Sequence, residues 1–203
     1  MNEATDRLLR NAAAGLFAIA VFVTARPAQA MPKILEPNTH PWFVTGGVGV
    51  SHSFNACSVN GCNSFGFQMF KFSPEFGYHF SGNFEGPALG AGFDVSAGGT
   101  FGVSVVRFEP GVKFWWDIPI IDDLGVTVAP FGKAGYGLYR SDFLGFTATS
   151  HFAHFQIGAA GRLSLANRAV VFIQPITFNM LANGDGTAFA YDILVGGGVT
   201  WGN

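Results

Sequence analysis

The chain has 203 residues, enough for one domain. Apolar residues make up 49% of it and charged residues only 12%, against about 25% in an ordinary soluble domain; Gly supplies 28 positions and Phe 23. This composition excludes a disordered charged tail, and 11 basic against 13 acidic residues cannot build a basic face, so no nucleic-acid partner is expected.

At the N-terminus Arg7 and Arg10 precede an uncharged apolar run from Ala12 to Ala25, followed by the small-x-small site Ala28-Gln29-Ala30. That layout predicts a cleaved signal peptide over 1–30. The run is too short to span a bilayer, which takes about 18 apolar residues or more. Cleavage takes three of the 11 basic and two of the 13 acidic residues, leaving 173 residues at net −3. Residues 31–41 then form an N-terminal periplasmic segment and 42–203 the folded domain. An exported chain meets oxidising conditions, so Cys57 and Cys62, with Asn60-Gly61 between them as a turn, are expected to form a disulfide. A metal pair is the weaker reading, because His52 alone does not complete a tetrahedral set.

From Trp42 onward apolar residues recur at every second position, the strand period. Eight strands are predicted in chain order: Trp42–Ser51, Phe65–Phe80, Phe84–Ala97, Phe101–Trp116, Leu124–Ser141, His151–Leu163, Ala169–Phe178 and Phe189–Trp201. No later segment is apolar for long enough to be a membrane helix, so a membrane form must be a closed β-barrel. Connections after strands one, three, five and seven (the Cys loop, Ser96–Thr100, Asp142–Ser150 and Leu181–Thr187) are expected to be the longer outer loops. Those after strands two, four and six (Ser81–Asn83, Asp117–Asp123 and Ser164–Arg168) are expected to be the inner turns. Five prolines inside these runs (Pro74, Pro87, Pro110, Pro130 and Pro175) are out of place in a central strand and imply bulges or strand ends.

Charge separates the two faces. An Arg or Lys facing lipid at mid-bilayer costs about 2–4 kcal/mol. Lys71, Glu75, Asp94, Arg107, Glu109, Lys113, Lys133, Arg162 and Asp192 all share the polar parity, five cations and four anions. An eight-stranded barrel is only wide enough for its own side chains. The expected interior is therefore a plug of paired charges, not a selective ring. Trp42, Tyr78, Trp116 and Trp201 share the opposite parity and fall at one end, as an aromatic girdle at a membrane interface would.

The signal segment, the eight alternating strands and the closing aromatic resemble the small eight-stranded outer-membrane β-barrels of Gram-negative bacteria, in the style of the OmpA transmembrane domain, OmpX and the opacity-type porin-like proteins. The segment Ala129-Pro130-Phe131-Gly132-Lys133-Ala134-Gly135-Tyr136-Gly137 is similar to a Pro-aromatic…Gly-aromatic-Gly strand of that superfamily. The resemblance covers nearly all of Trp42 to Trp201. It implies an all-β, antiparallel, up-and-down transmembrane barrel. The partners it implies are outer-membrane lipid and the assembly machinery that reads a terminal aromatic. Here Trp201 is followed by Gly202 and Asn203, a departure from that pattern. No peptidoglycan-binding domain is expected after Asn203.

Motifs for chemistry are sparse, and no enzyme activity, cofactor or metal is expected. His52-Ser53-Phe54-Asn55-Ala56 faintly resembles a lipid A deacylase motif but is scrambled and early in the chain. His151 and His154 are three apart and so lie on opposite faces of a strand. Asp122 and Asp123 sit in a turn, Asn183-Gly184-Asp185-Gly186 lacks the acidic ligands of a calcium loop, and Gly196-Gly197-Gly198 has no helix after it to cradle a phosphate. The expected role is structural or surface-exposed. The alternatives are a lipid A-modifying enzyme using His52 and Ser53, or a soluble lipocalin-like barrel with the Phe-rich face turned inward around an apolar ligand.

Overall fold

Alternation becomes strand along nearly the whole domain. The computed structural model describes residues 35, 37–58, 61–100, 103–121, 124–143 and 145–202; the signal segment 1–30, Asp122 and Asp123 lie outside the described residues. The strands are β1 (Trp42–Ser58), β2 (Gly61–His79), β3 (Gly86–Thr100), β4 (Val103–Ile121), β5 (Val126–Phe143), β6 (Phe146–Leu165), β7 (Ala169–Asn183) and β8 (Gly186–Trp201). Each pairs antiparallel with its chain neighbours, and β8 pairs with β1, closing the barrel.

Successive partners trace the stagger of the wall. From Trp42 the path runs through Tyr78, Leu89, Phe114, Gly132, Ile157, Phe178 and Tyr191 and returns to β1 at His52, ten residues above its start. A rise of about 3.3 Å per residue and a strand spacing of about 4.8 Å then give a tilt of about 40° and a radius of about 8 Å. Such an interior holds side chains and little else.

The strands outrun their predicted ends, which corrects the expected loops. The connections β1–β2, β3–β4, β5–β6 and β7–β8 are two residues each, whereas those at the other end are six, four and three residues. The long loops therefore do not exist at the predicted outer end. Asp142–Ser150, read as a loop, is a paired ribbon up to Phe143↔Phe146, with β-branched Thr147 and Thr149 continuing the pleat. At the tip of β7–β8, Asn183 Oδ1 accepts from the backbone N–H of Asp185 (3.0 Å) and Gly186 (2.9 Å), a side-chain-closed turn that needs no cation.

The prolines lie where the ladder can spare a hydrogen bond. Pairing of β2 with β3 skips Pro74, that of β4 with β5 skips Pro110 and Pro130, and Pro87 is the second residue of β3. Pro175 sits in a bulge that breaks register towards both β6 and β8. The bulge reverses parity along β7: Val170, Phe172 and Gln174 are buried before it, Thr177, Asn179 and Leu181 after it.

Sorting of side chains is nearly complete. Phe70, Phe72, Phe76, Phe93, Phe108, Phe114, Phe155 and Phe178 are exposed on the outer face, whereas all nine predicted interior charges are buried. An aromatic cluster fills the end where β1 begins and β8 finishes: Phe43, Phe84, Trp115 and Phe131, with Ala88, Ala129, Ala160 and Val170. Phe84, predicted to begin a strand, is instead in the connection before β3 and turns inward. Glycines make room for these rings. A Cβ at Gly90 would lie 2.8 Å from the Trp115 ring, and one at Gly158 2.8 Å from that of Phe131.

The segment before β1 is laced across this end. Asn38 Nδ2 donates to Thr200 Oγ1 (2.8 Å), the Phe84 N–H donates to Asn38 O (3.0 Å), and the Thr39 N–H donates to Asn167 Oδ1 (2.7 Å) in the β6–β7 turn.

Candidate functional site

The interior is a stack of polar tiers above the aromatic cluster. In the lowest, Asp117 accepts from Arg162 Nη1 (2.7 Å), His79 Nε2 (2.8 Å) and Thr127 Oγ1 (3.1 Å). Arg162 also lies against Phe84 and Trp115, with its guanidinium carbon 5.5 and 5.4 Å from their rings. Charge is thus tied to the apolar floor by cation–π contact. One step up, Lys113 Nζ donates to Glu75 Oε1 (2.5 Å) and sits 3.9 Å over the Phe131 ring.

The middle tier is the densest. Lys71 pairs with Asp192, with Asp94 at 2.9 Å and with Glu109 at 3.9 Å. Lys133 reaches Asp94 at 3.1 Å and donates to the Glu109 backbone carbonyl at 3.0 Å. Ser73 Oγ donates to Asp94 (2.6 Å), and Gln156 Nε2 donates to Asn179 Oδ1 (2.8 Å) and to Asp192 (3.3 Å). In the top tier Arg107 Nη2 donates to Ser51 Oγ (2.6 Å) and Ser96 Oγ (3.4 Å), while its Nε stands 3.6 Å from Glu109.

All nine sequence-predicted interior charges therefore meet inside the barrel. Asp117 joins them, and the buried charges among the described residues become five cations and five anions. His79 and Asp117 carry the inward parity and could have been included on that ground. Thr177 and Asn179 were concealed by the Pro175 bulge, which no periodicity crosses. Asp94, Glu109 and His154 place ligand atoms within 4.8 Å of one another. Lys71 and Lys133 already occupy Asp94, and a divalent ion would unbalance an interior whose charges cancel. The cluster is a charge network by its chemistry.

The other predicted sites separate. Trp42 lies against Tyr78 (ring centroids 4.6 Å apart) and Phe76 (5.4 Å), and Phe76 meets Trp201 (6.0 Å) on the outer face of β2, β1 and β8. Trp116 is also outside but stands apart, and β4 continues past it with Ile118, Ile120 and Ile121 exposed. The backbone pairs Cys57 directly with Cys62. His52 and Ser53 point to opposite faces: Ser53 lines the interior, whereas His52 lies outside near Tyr191, 5.4 Å between rings. That arrangement assembles no nucleophile–base pair. His154 is buried beside Asn179 (3.3 Å), and His151 bonds to Tyr136 outside.

Above Arg107 the tiers stop and a cavity of about 340 Å³ opens at the two-residue hairpin end. Ser150, Asn183, Asp185 and Thr187 are the polar residues near its mouth. Thr147 donates to Asp142, and that bond, with Arg140 3.5 Å away, holds the Asp142 carboxyl below the usual carboxylate range.

No family model and no curated protein matches the chain. Solved structures do match in fold. Neisserial surface protein A superposes with a TM-score of 0.56 at 13% identity, over 79% of this chain and 97% of that one. Ail, the attachment invasion locus protein of Yersinia pestis, in its complex with the heparin analogue sucrose octasulfate, gives 0.50 at 11% identity, over 79% and 99%. The fold is that of the small eight-stranded outer-membrane barrels.

Proposed function

We propose that the chain is an outer-membrane β-barrel with a structural or surface-exposed role, its interior plugged by the polar network and carrying neither enzyme activity nor a pore. One observation carries this reading: the wall is inside-out relative to a soluble barrel. Ile157 is 64% and Phe70 60% exposed, while Lys71, Glu109 and Asp192 are fully buried. In water so large an apolar surface would drive association. In a bilayer it is the solvated face.

The dimensions support the same reading. At a tilt of about 40°, ten residues climb about 25 Å, the height of the apolar band of such barrels. Trp42, Tyr78 and Trp201 mark its lower edge as the interfacial girdle, and the termini with residues 31–41 belong on the periplasmic side. The signal peptide over 1–30 delivers the chain, the assembly machinery inserts it, and Cys57–Cys62 closes as a disulfide at the outer tip of β1–β2. The lipocalin-like alternative needs the Phe-rich face inward, and the enzyme alternative needs His52 and Ser53 on one face; neither arrangement exists.

The test is expression of the full chain in a Gram-negative host, membrane fractionation, and gel migration with and without boiling. Recovery in the outer membrane with a heat-dependent mobility shift is expected. Recovery in the soluble periplasm without detergent would overturn the proposal.

A further inference from the structure

The cavity above Arg107 has no part in the plug. Its volume of about 340 Å³ lies in the lower part of the range for small-molecule sites, about 300–1,000 Å³. Arg107 and Met69 lie at its base, Phe152 and Leu181 line it with Tyr139, and Asp185, the one acidic residue of the lining, belongs to the hairpin tip at its mouth. Met69 and Leu181 are buried, and the Tyr139 and Phe152 rings meet edge-on with centroids 6.2 Å apart. This is a concave, mostly apolar wall with one cation at its base.

Arg107 is what makes the cavity selective. It is 2% exposed, and its guanidinium carries five N–H donors. The hydrogen bonds it makes among the described residues run through Nη2 to the neutral hydroxyls of Ser51 and Ser96, and Nε has no hydrogen-bond partner. Its carboxylate neighbour Glu109 stands off at 3.6 Å, beyond hydrogen-bond length, and is shared with Lys71 from below. Each of the other four buried cations has a carboxylate oxygen within 3.1 Å. The most loosely paired cation in the barrel is thus the one that faces the open space.

We propose that this cup binds a small organic anion, a carboxylate carried on an aromatic or short acyl body, with the carboxylate on Arg107 and the body against Met69, Phe152 and Leu181. A carboxylate accepts from the guanidinium donors that Ser51 and Ser96 leave free. Glu109 below repels a ligand that descends further, so the anion stops at the level of Arg107. The inference rests on the membrane reading only for the side from which the ligand arrives.

The experiment uses the full chain extracted folded from membranes into detergent, with 13C-methyl methionine as reporter. Met69 lines the cup and Met180 lies on the outer face, where it senses only detergent. The probes are 3-phenylpropionate and its neutral counterpart 3-phenylpropanol. A saturable shift of Met69 without one at Met180 is expected, with the carboxylate binding about tenfold more tightly than the alcohol. Arg107→Gln should remove that preference. Ala188→Trp, which fills the cup without touching the charges, should abolish the Met69 response while the heat-dependent mobility shift persists. A folded parent whose Met69 stays silent, whose two methyls move alike, or which binds the alcohol equally well would overturn the proposal. A chain recovered soluble would overturn the membrane reading instead, and the same titration would still decide the cup.

Discussion

Asp117 accepts from three side chains on three different strands, all buried. Asp117→Ala leaves Arg162 as an uncompensated charge against Phe84 and Trp115, and should cost about 3–5 kcal/mol, read as a lowered denaturant midpoint of the folded barrel in lipid. Asp117→Asn keeps the hydrogen-bond acceptor for Thr127 and should fall between the two. At this scale parity made the direction of each side chain legible, because every second residue of a strand points the same way. It could not give the partners. Lys71 meets Asp192 across 121 positions of sequence, and only the register of the closed wall brings them together. The buried aromatics escaped for a related reason. Phe43 and Trp115 have the inward parity of the charges, and the signal that they fit is a glycine on the adjacent strand, visible once Gly77 and Gly90 are paired with their neighbours.

The number and order of the elements were legible, but their ends were not. Ser, Thr, Asn and Gly near the predicted outer tips read as loop, yet the hydrogen-bonded ladders continue through them to two-residue connections. Local composition could not see the pairing partner that keeps such a segment extended. The consequence is a surface made of paired ribbons above the apolar band. Thr149 lies on one of them, exposed, while Val195 lies within the band. In intact cells Thr149→Cys should react with a membrane-impermeant maleimide and Val195→Cys should not. The native thiols are expected to be silent in that assay. Alkylation of the unreduced denatured chain should leave Cys57 and Cys62 unmodified, and reduction should expose both, lowering stability by about 2 kcal/mol for so short a closed loop, as read by mass and by denaturant midpoint.

For the whole molecule, the proposed plug sets five buried cations and five buried anions within a radius of about 8 Å. Purified protein in planar bilayers should therefore show no stepwise conductance; regular single-channel steps would show that the plug opens. Closed topology and charge placement follow from an apolar outside, a polar inside and eight alternating runs. The cup above Arg107 could not be read from the chain, since Arg107, Met69, Tyr139 and Leu181 come from four strands and share it only after closure.

The seam of the wall is where β1 meets β8, and one stretch of it is rich in glycine. Gly46 faces Gly197, Gly47 faces Gly196, and Thr45 faces Gly198. Glycine pairs give little side-chain information to fix register, so a slip here is opposed chiefly by what lies over them. The Phe172 ring covers Gly47 and would contact a Cβ at Gly196. The two strands come from opposite ends of the barrel sequence, and valine pairs flank the glycines, Val44 with Val199 and Val48 with Val195. Closure is then a long-range search whose entropy of loop formation precedes its reward, and a phenyl ring laid over a strip of bare backbone helps to hold the register once it is found.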